Sequence, residues 1–531
     1  LGLERRNACL DHPLRTALAH SERPDAPLGG LAASSRLGRA RALVMAGAQR
    51  RPGQPHAGQA QASLSPSPRT SSIALSVATL LKNMIGAGIF SLPIGLKMAT
   101  PLPGLGILCC IGVLSAVSFW MVGYCCLAWQ VDSFRKLWHR TLGPNTAWVI
   151  DATILLNGWF TLVGYLVLIG DFTTKSFGGL LGEDHLLARS RLLDQWVVTV
   201  AVLLPLSLAQ DLRRLAFTSV LGLGVTVYVV LLVLRDSWLK APAEWGPEMV
   251  LAEWRAGAFE AIALYTHAFV AHYNAPKLFG ELERPTGVRW LFVVCVAYVV
   301  AFVVYAAFAF AGLRRFETDV EGNVLRNFEM EAKVLVAWMG MGFSIAFTYP
   351  IVFNSAREAL VNLMAQTKET LLASPRMQRF MSSPRLNSRR SMSLYNVLGP
   401  SPSRSRSSDT TTRITVAFVL CTAAVASVCS DLGLINALAG ALMGCAVAFV
   451  FPSLLFFQTV RAQLAGVATH TRPLAAPLLG QRGDDRFPTV AQVDDRLRPL
   501  LWASLAVAGA VMVAGVGFSI LGFGVAMRSV F

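Results

Sequence analysis

The stretch Ser72–Gly95, SIALSVATLLKNMIGAGIFSLPIG, has the length and apolarity of a bilayer-crossing helix, yet its middle is built to break one. A spanning helix needs ~20 mostly apolar residues. Here Lys82 and Asn83 sit at the centre, followed by Gly86-Ala87-Gly88 and then Pro93. Glycine weakens a helix, and proline removes a backbone N–H and clashes with the preceding turn. Backbone groups freed in this way persist at membrane depth only when buried in protein or lining a cavity. Two readings follow. One is a discontinuous span that forms a midplane substrate site, as in secondary transporters; the other is a kinked helix that packs closely through its glycines.

The composition places the whole chain in the same setting. Of 531 residues, 54% are hydrophobic and 15% charged, and mean hydropathy is +0.51. Soluble domains carry roughly 25% charged residues, so the chain reads as an all-α, multi-pass membrane protein. The net charge of +16 does not indicate nucleic acid, because it is not spread over a basic face. Residues 1–70 hold ten Arg against four acids, and residues 366–413 hold nine Lys and Arg against two. Of nine cysteines only Cys9 lies outside the apolar runs, and no metal-ligand or disulfide spacing appears. No cofactor is expected.

Residues 1–70 are rich in Ala, Gly, Ser, Pro and Arg, and are expected to form a disordered cytosolic tail. An Arg-rich, acid-poor lead also fits a transit peptide in composition. Eleven apolar runs follow, near 73–95, 104–130, 147–170, 193–210, 215–235, 256–278, 289–312, 334–356, 413–430, 432–457 and 499–526. With the N-terminus in the cytosol, Arg135, Lys136, Arg140, Arg213, Arg214, Arg284, Arg289 and the basic stretch 366–413 all fall on the cytosolic side. That is the positive-inside pattern. Residues 366–413 read as a disordered basic loop, whose Ser residues beside Arg and Pro suit kinases. Weak attraction to anionic headgroups is the other reading of this loop.

A transporter with a broken first span needs a matching break in a second repeat. The sixth run continues as FEAIALYTHAFVAHYNAPKLFGELERPT from Phe259 to Thr286, crowding His267, His272, Asn274 and Pro276 into its second half. Ionisable residues inside spans are costly and default to functional roles. Leu80-Leu81-Lys82 with Ile85-Gly86-Ala87-Gly88-Ile89-Phe90-Ser91-Leu92-Pro93 resembles the first-span signature of the amino acid/auxin permease (AAAP) family. Phe269-Val270-Ala271-His272-Tyr273-Asn274, leading to Leu282-Glu283-Arg284-Pro285-Thr286, is similar to its sixth-span motif, and Phe347-Thr348-Tyr349-Pro350-Ile351 to its eighth. The resemblance covers about residues 71–526. It implies a LeuT-like fold of the APC superfamily, a 5+5 inverted repeat plus one helix. It also implies a secondary transporter of neutral amino acids, a symporter coupled to H+ or Na+, in a vacuolar, lysosomal or plasma membrane.

On that reading the substrate carboxylate is expected at the backbone N–H groups of Ile85, Gly86, Ala87, Gly88 and Ile89, beside Asn83, at the positive end of a half-helix. Its ammonium is expected at carbonyls around Tyr265, Thr266 and His267, and its side chain near Phe90 and Phe269. A sodium ion would use first-span carbonyls with Ser344 and Thr348, which are four residues apart and so share a helix face. Such hydroxyls also commonly bond their own helix. A proton would use His267, His272, Glu260 or Asp151; the proton-coupled branch carries a histidine where this chain has Thr79. Lys82 is expected to neutralise an acidic group such as Asp151, to lie near the permeation path, or simply to pack with its stem snorkelling, and Asp171 to mark a span end. The chain is not expected to be an enzyme. A sensor that binds an amino acid and signals through its tail or loop is the alternative to transport.

Overall fold

The computed structural model describes residues 71–208, 216–239, 251–374, 404–465 and 498–528. The tail 1–70 and the Ser/Arg-rich residues 375–403 lie outside them. Span 1 is made of α1 (Ile73–Met84) and α2 (Leu92–Ala99), joined through a 3-10 turn at Ala87–Ser91 and bent by 55°. Spans 2 to 5 are α3 (Pro101–Trp129), α5 (Ala147–Leu181), α6 (Arg191–Leu208) and α7 (Ala216–Leu239); the short α4 (Phe134–Leu142) precedes α5. Span 6 is α8 (Gly257–Phe269) and α9 (Ala275–Glu281). Spans 7 to 11 are α10 (Gly287–Phe316), α11 (Ala332–Ala373), α12 (Arg404–Val428), α13 (Leu432–Leu464) and α14 (Arg498–Arg528). Among the described residues, nine helices are individually long and apolar enough to cross a membrane, and the bent span 1 is a tenth. The eleventh expected span is span 6, whose two pieces are each too short to pass alone.

Both breaks share one construction. α1 ends where Gly86 turns extended (φ −130°, ψ −150°), and α8 ends where Val270 does (φ −70°, ψ 109°). Each helix restarts with a proline in its first turn, Pro93 and Pro276. There a missing N–H costs nothing and the fixed φ suits the helix. Span 1 starts on the membrane face we call near, and span 6 starts on the far face. Spans 1–5 and 6–10 are therefore inverted five-span units, the LeuT-like arrangement, with span 11 against spans 6 and 10. Spans 3 and 8 pair along their length beside the breaks.

Two boundaries differ from expectation. Helix α11 runs on to Ala373 and α12 starts at Arg404, so the loop expected over 366–413 is helical at both edges. The overshoot Gln366–Ala373, QTKETLLA, is built largely of strong helix formers. Span 3 likewise continues to Leu181, so Asp171 lies within the helix rather than at its end. Asp171 is buried, accepts from Arg191 Nε at 2.9 Å and receives Asn323 Nδ2 at 3.2 Å.

Candidate functional site

Two cavities meet at the breaks. The smaller, of about 80 Å³, is lined by both breaks together with spans 3 and 10, including Asn83, Gly86, Gly88, His267, Tyr273 and Asn436. The larger, of about 290 Å³, shares Asn83, Gly86 and Tyr273 with it and extends along spans 3, 5 and 8 past Ile154, Thr226, Thr348 and Ser355. Those are the near-face halves of spans 3, 5 and 8. On the far side the small cavity is closed by Asn436, whose Nδ2 donates to Ser91 Oγ at 2.6 Å, and by Leu432. Gly322, in the connection between spans 7 and 8, lies directly against Gly433 at the start of span 10.

The expected first-span donors divide into used and free. Ile85 N–H donates to Leu81 O, Gly86 N–H to Met84 O and Ile89 N–H to Gly86 O. A 3-10 start leaves its first N–H groups unbonded, so the free ones here are those of Ala87 and Gly88. Gly88 is not tightly packed, since a Cβ there would meet Ala268 Cα at an ordinary 3.6 Å. A Cβ at Gly86 would meet nothing within 4 Å and would point into open space.

The expected sixth-span residues scatter. His267 lines the small cavity, and its Nδ1 is buried with no hydrogen-bond partner among the described residues. Tyr265 and Thr266 line neither cavity; the Thr266 hydroxyl donates to Ile262 O on its own helix. Phe90 and Phe269 also turn away. Phe90 packs on Phe172 and Phe308, while Phe269 stacks on Tyr298, so both belong to the apolar core. His272 is fully buried against span 2, with Nε2 3.0 Å from Ser118 Oγ and 3.2 Å from Ser115 O. It anchors the break rather than facing the cavities. Ser344 and Thr348 do line the large cavity with Asn83, Ile85 and Gly86, although the Thr348 hydroxyl donates to Ser344 O. Glu260 lies on neither cavity wall. Asp151 is ion-paired to Arg135 at 2.6 Å and bonded by Gln366, so its expected pairing with Lys82 does not form.

Three groups of site residues escaped the sequence reading. Asn157, Thr161 and Tyr165 of span 3 line both cavities, and Asn157 Oδ1 is buried without a partner among the described residues. Their i, i+4, i+8 spacing was a legible signal of one polar face. Asn436 on span 10 carried no such pattern. Nor did Tyr305 on span 7, whose hydroxyl donates to Met84 O at 2.6 Å and stands 2.9 Å from Ala268 O. One buried phenol thus joins the ends of α1 and α8.

The sequence model of the family described as transmembrane amino acid transporter protein matches residues 69–475. A "Putative sodium-coupled neutral amino acid transporter 11" of Danio rerio is 25% identical over 311 residues, covering 56% of this chain and 66% of that protein. An "Amino acid transporter AVT6E" of Arabidopsis thaliana is 22% identical over 315 residues, covering 54% and 62%. The matched stretch therefore spans less than two thirds of the length of either relative. A solved structure described as the inward facing conformation of Mhp1 aligns with 13% identity and a TM-score of 0.48, covering 90% of this chain and 95% of that one.

Proposed function

Because this chain belongs to the family of transmembrane amino acid transporter proteins, we propose that it moves amino acids with neutral side chains by alternating access, coupled to H+ or Na+. The observation that carries the reading is the pair of cavities at two juxtaposed helix breaks, with polar edges from spans 3 and 10. The substrate carboxylate sits at the Ala87 and Gly88 N–H groups, where backbone dipoles of a helix start favour an anion. The ammonium is received by Asn157 Oδ1 and by carbonyls at the end of α8. The near face is cytosolic, in keeping with its basic loops.

Two cation routes are open to separate tests. His267, with one ring nitrogen unpartnered beside the substrate, suits a proton. Ser344 and Thr348, across the large cavity from Ile85 and Gly86, suit sodium. The deciding experiment is uptake of a labelled mixture of neutral amino acids into proteoliposomes, with proton and sodium gradients imposed separately. The expected result is uptake driven by one gradient. Loss of that uptake in His267→Gln points to the proton, and loss in Thr348→Ala to sodium. Saturable binding with no gradient-driven uptake overturns transport.

A further inference from the structure

Lys82 is the one charged side chain lining either cavity among the described residues, counting histidine as neutral. It sits in the last turn of α1 and opens on the large cavity at its junction with the break. No Asp or Glu lines the cavities, and Lys82 makes no ion pair or hydrogen bond among the described residues. Asp151, an acid on the neighbouring span 3, is committed to Arg135. The cavity thus holds an uncompensated ammonium between low-dielectric walls, and such a cleft concentrates the field of the charge it carries.

We propose that Lys82 is the charge filter of this cavity, discriminating against amino acids with a cationic side chain and favouring anionic ones over their neutral isosteres. The proposal rests on the amino-acid reading above and widens its range from neutral to anionic side chains, with cationic ones rejected. A cationic side chain meets Lys82 without any acid to relieve the repulsion. A carboxylate side chain finds in it an ion partner. The competing account is that Lys82 only complements the C-terminal end of its own helix, as a basic last-turn residue does; that role has no bearing on substrate charge.

The test is equilibrium competition on the full-length protein purified in detergent, run alongside uptake in proteoliposomes. A labelled neutral amino-acid mixture is displaced by methionine, lysine, glutamine or glutamate. In the parent protein, lysine should compete ~10-fold or more worse than methionine, the scale of one like-charge encounter a few ångström apart in a half-wet cavity. Glutamate should compete at least as well as glutamine. The methionine-to-lysine ratio should collapse in Lys82→Met and reverse in Lys82→Glu, and Lys82→Arg should preserve it. Equal competition by lysine and methionine in the parent overturns the proposal, even if no variant can be purified. So does an unchanged ratio in Lys82→Met. Charge-ordered binding without gradient-driven uptake sinks the transport reading and leaves the filter standing; no binding of any amino acid overturns both.

Discussion

Gly86 and Tyr305 show how much turns on single residues at the breaks. A side chain at Gly86 would enter open cavity, and the backbone there is ordinary extended chain. Gly86→Val is therefore expected to leave the unfolding temperature near that of the parent while weakening amino-acid binding roughly tenfold or more by filling the space a ligand needs. Thermal unfolding and equilibrium binding, measured on the same preparation, check both halves. Tyr305→Phe should do the reverse. The ring would keep its place 5.0 Å from Phe269, but the hydroxyl bridging Met84 O and Ala268 O would be lost. Met84 O keeps the Gly86 N–H, so the loss is that of one buried hydrogen bond, ~0.5–1.5 kcal/mol, which a chemical or thermal unfolding comparison in one detergent would register.

Among the elements, span 10 meets the broken span 6 most closely. Gly440 lies in a π-helical stretch of span 10, and a Cβ there would stand 1.8 Å from Ala263 O, a backbone atom that cannot swing aside. Gly440→Ala should cost at least about 1–3 kcal/mol through overpacking. Gly224→Ala, inside span 5 with nothing within 4 Å of its Cβ, should be neutral to about 1 kcal/mol stabilising in the same unfolding assay. The breaks themselves were legible in sequence because their cause is local: glycine or an extended residue ends one half-helix, and Pro93 or Pro276 opens the next. The facing of side chains around them was not. A break resets the helical phase, so the five-residue step from His267 to His272 could not say which ring meets the cavity. Phe90 and Phe269 were expected at the substrate for their size, yet the same size draws them into the apolar core. The polar run on span 3 was visible as a pattern, but its meeting with the breaks is tertiary.

For the molecule as a whole, the large cavity runs along the near-face halves of spans 3, 5 and 8, while on the far side the small one meets Leu432 and Asn436, the latter bonded to Ser91. Ser355→Cys, on a background with the native cysteines replaced, should react with a membrane-impermeant maleimide applied from the face bearing the N-terminus. It should resist the reagent from the opposite face; preferential labelling there contradicts the closure. A last consequence comes from the near-face ends of spans 1 and 6. Ser71 N–H donates to Glu281 O at 3.0 Å, and Glu283 N–H to Ser71 O at 2.9 Å, which joins the start of α1 to the end of α9. Neither half-span can swing without drawing the other along or breaking both bonds. Mechanically they form a single lever, with its fulcrum at the two breaks where Tyr305 pins the backbone. Any displacement of one half-span would then carry the other with it, and with it both walls of the cavity at the breaks.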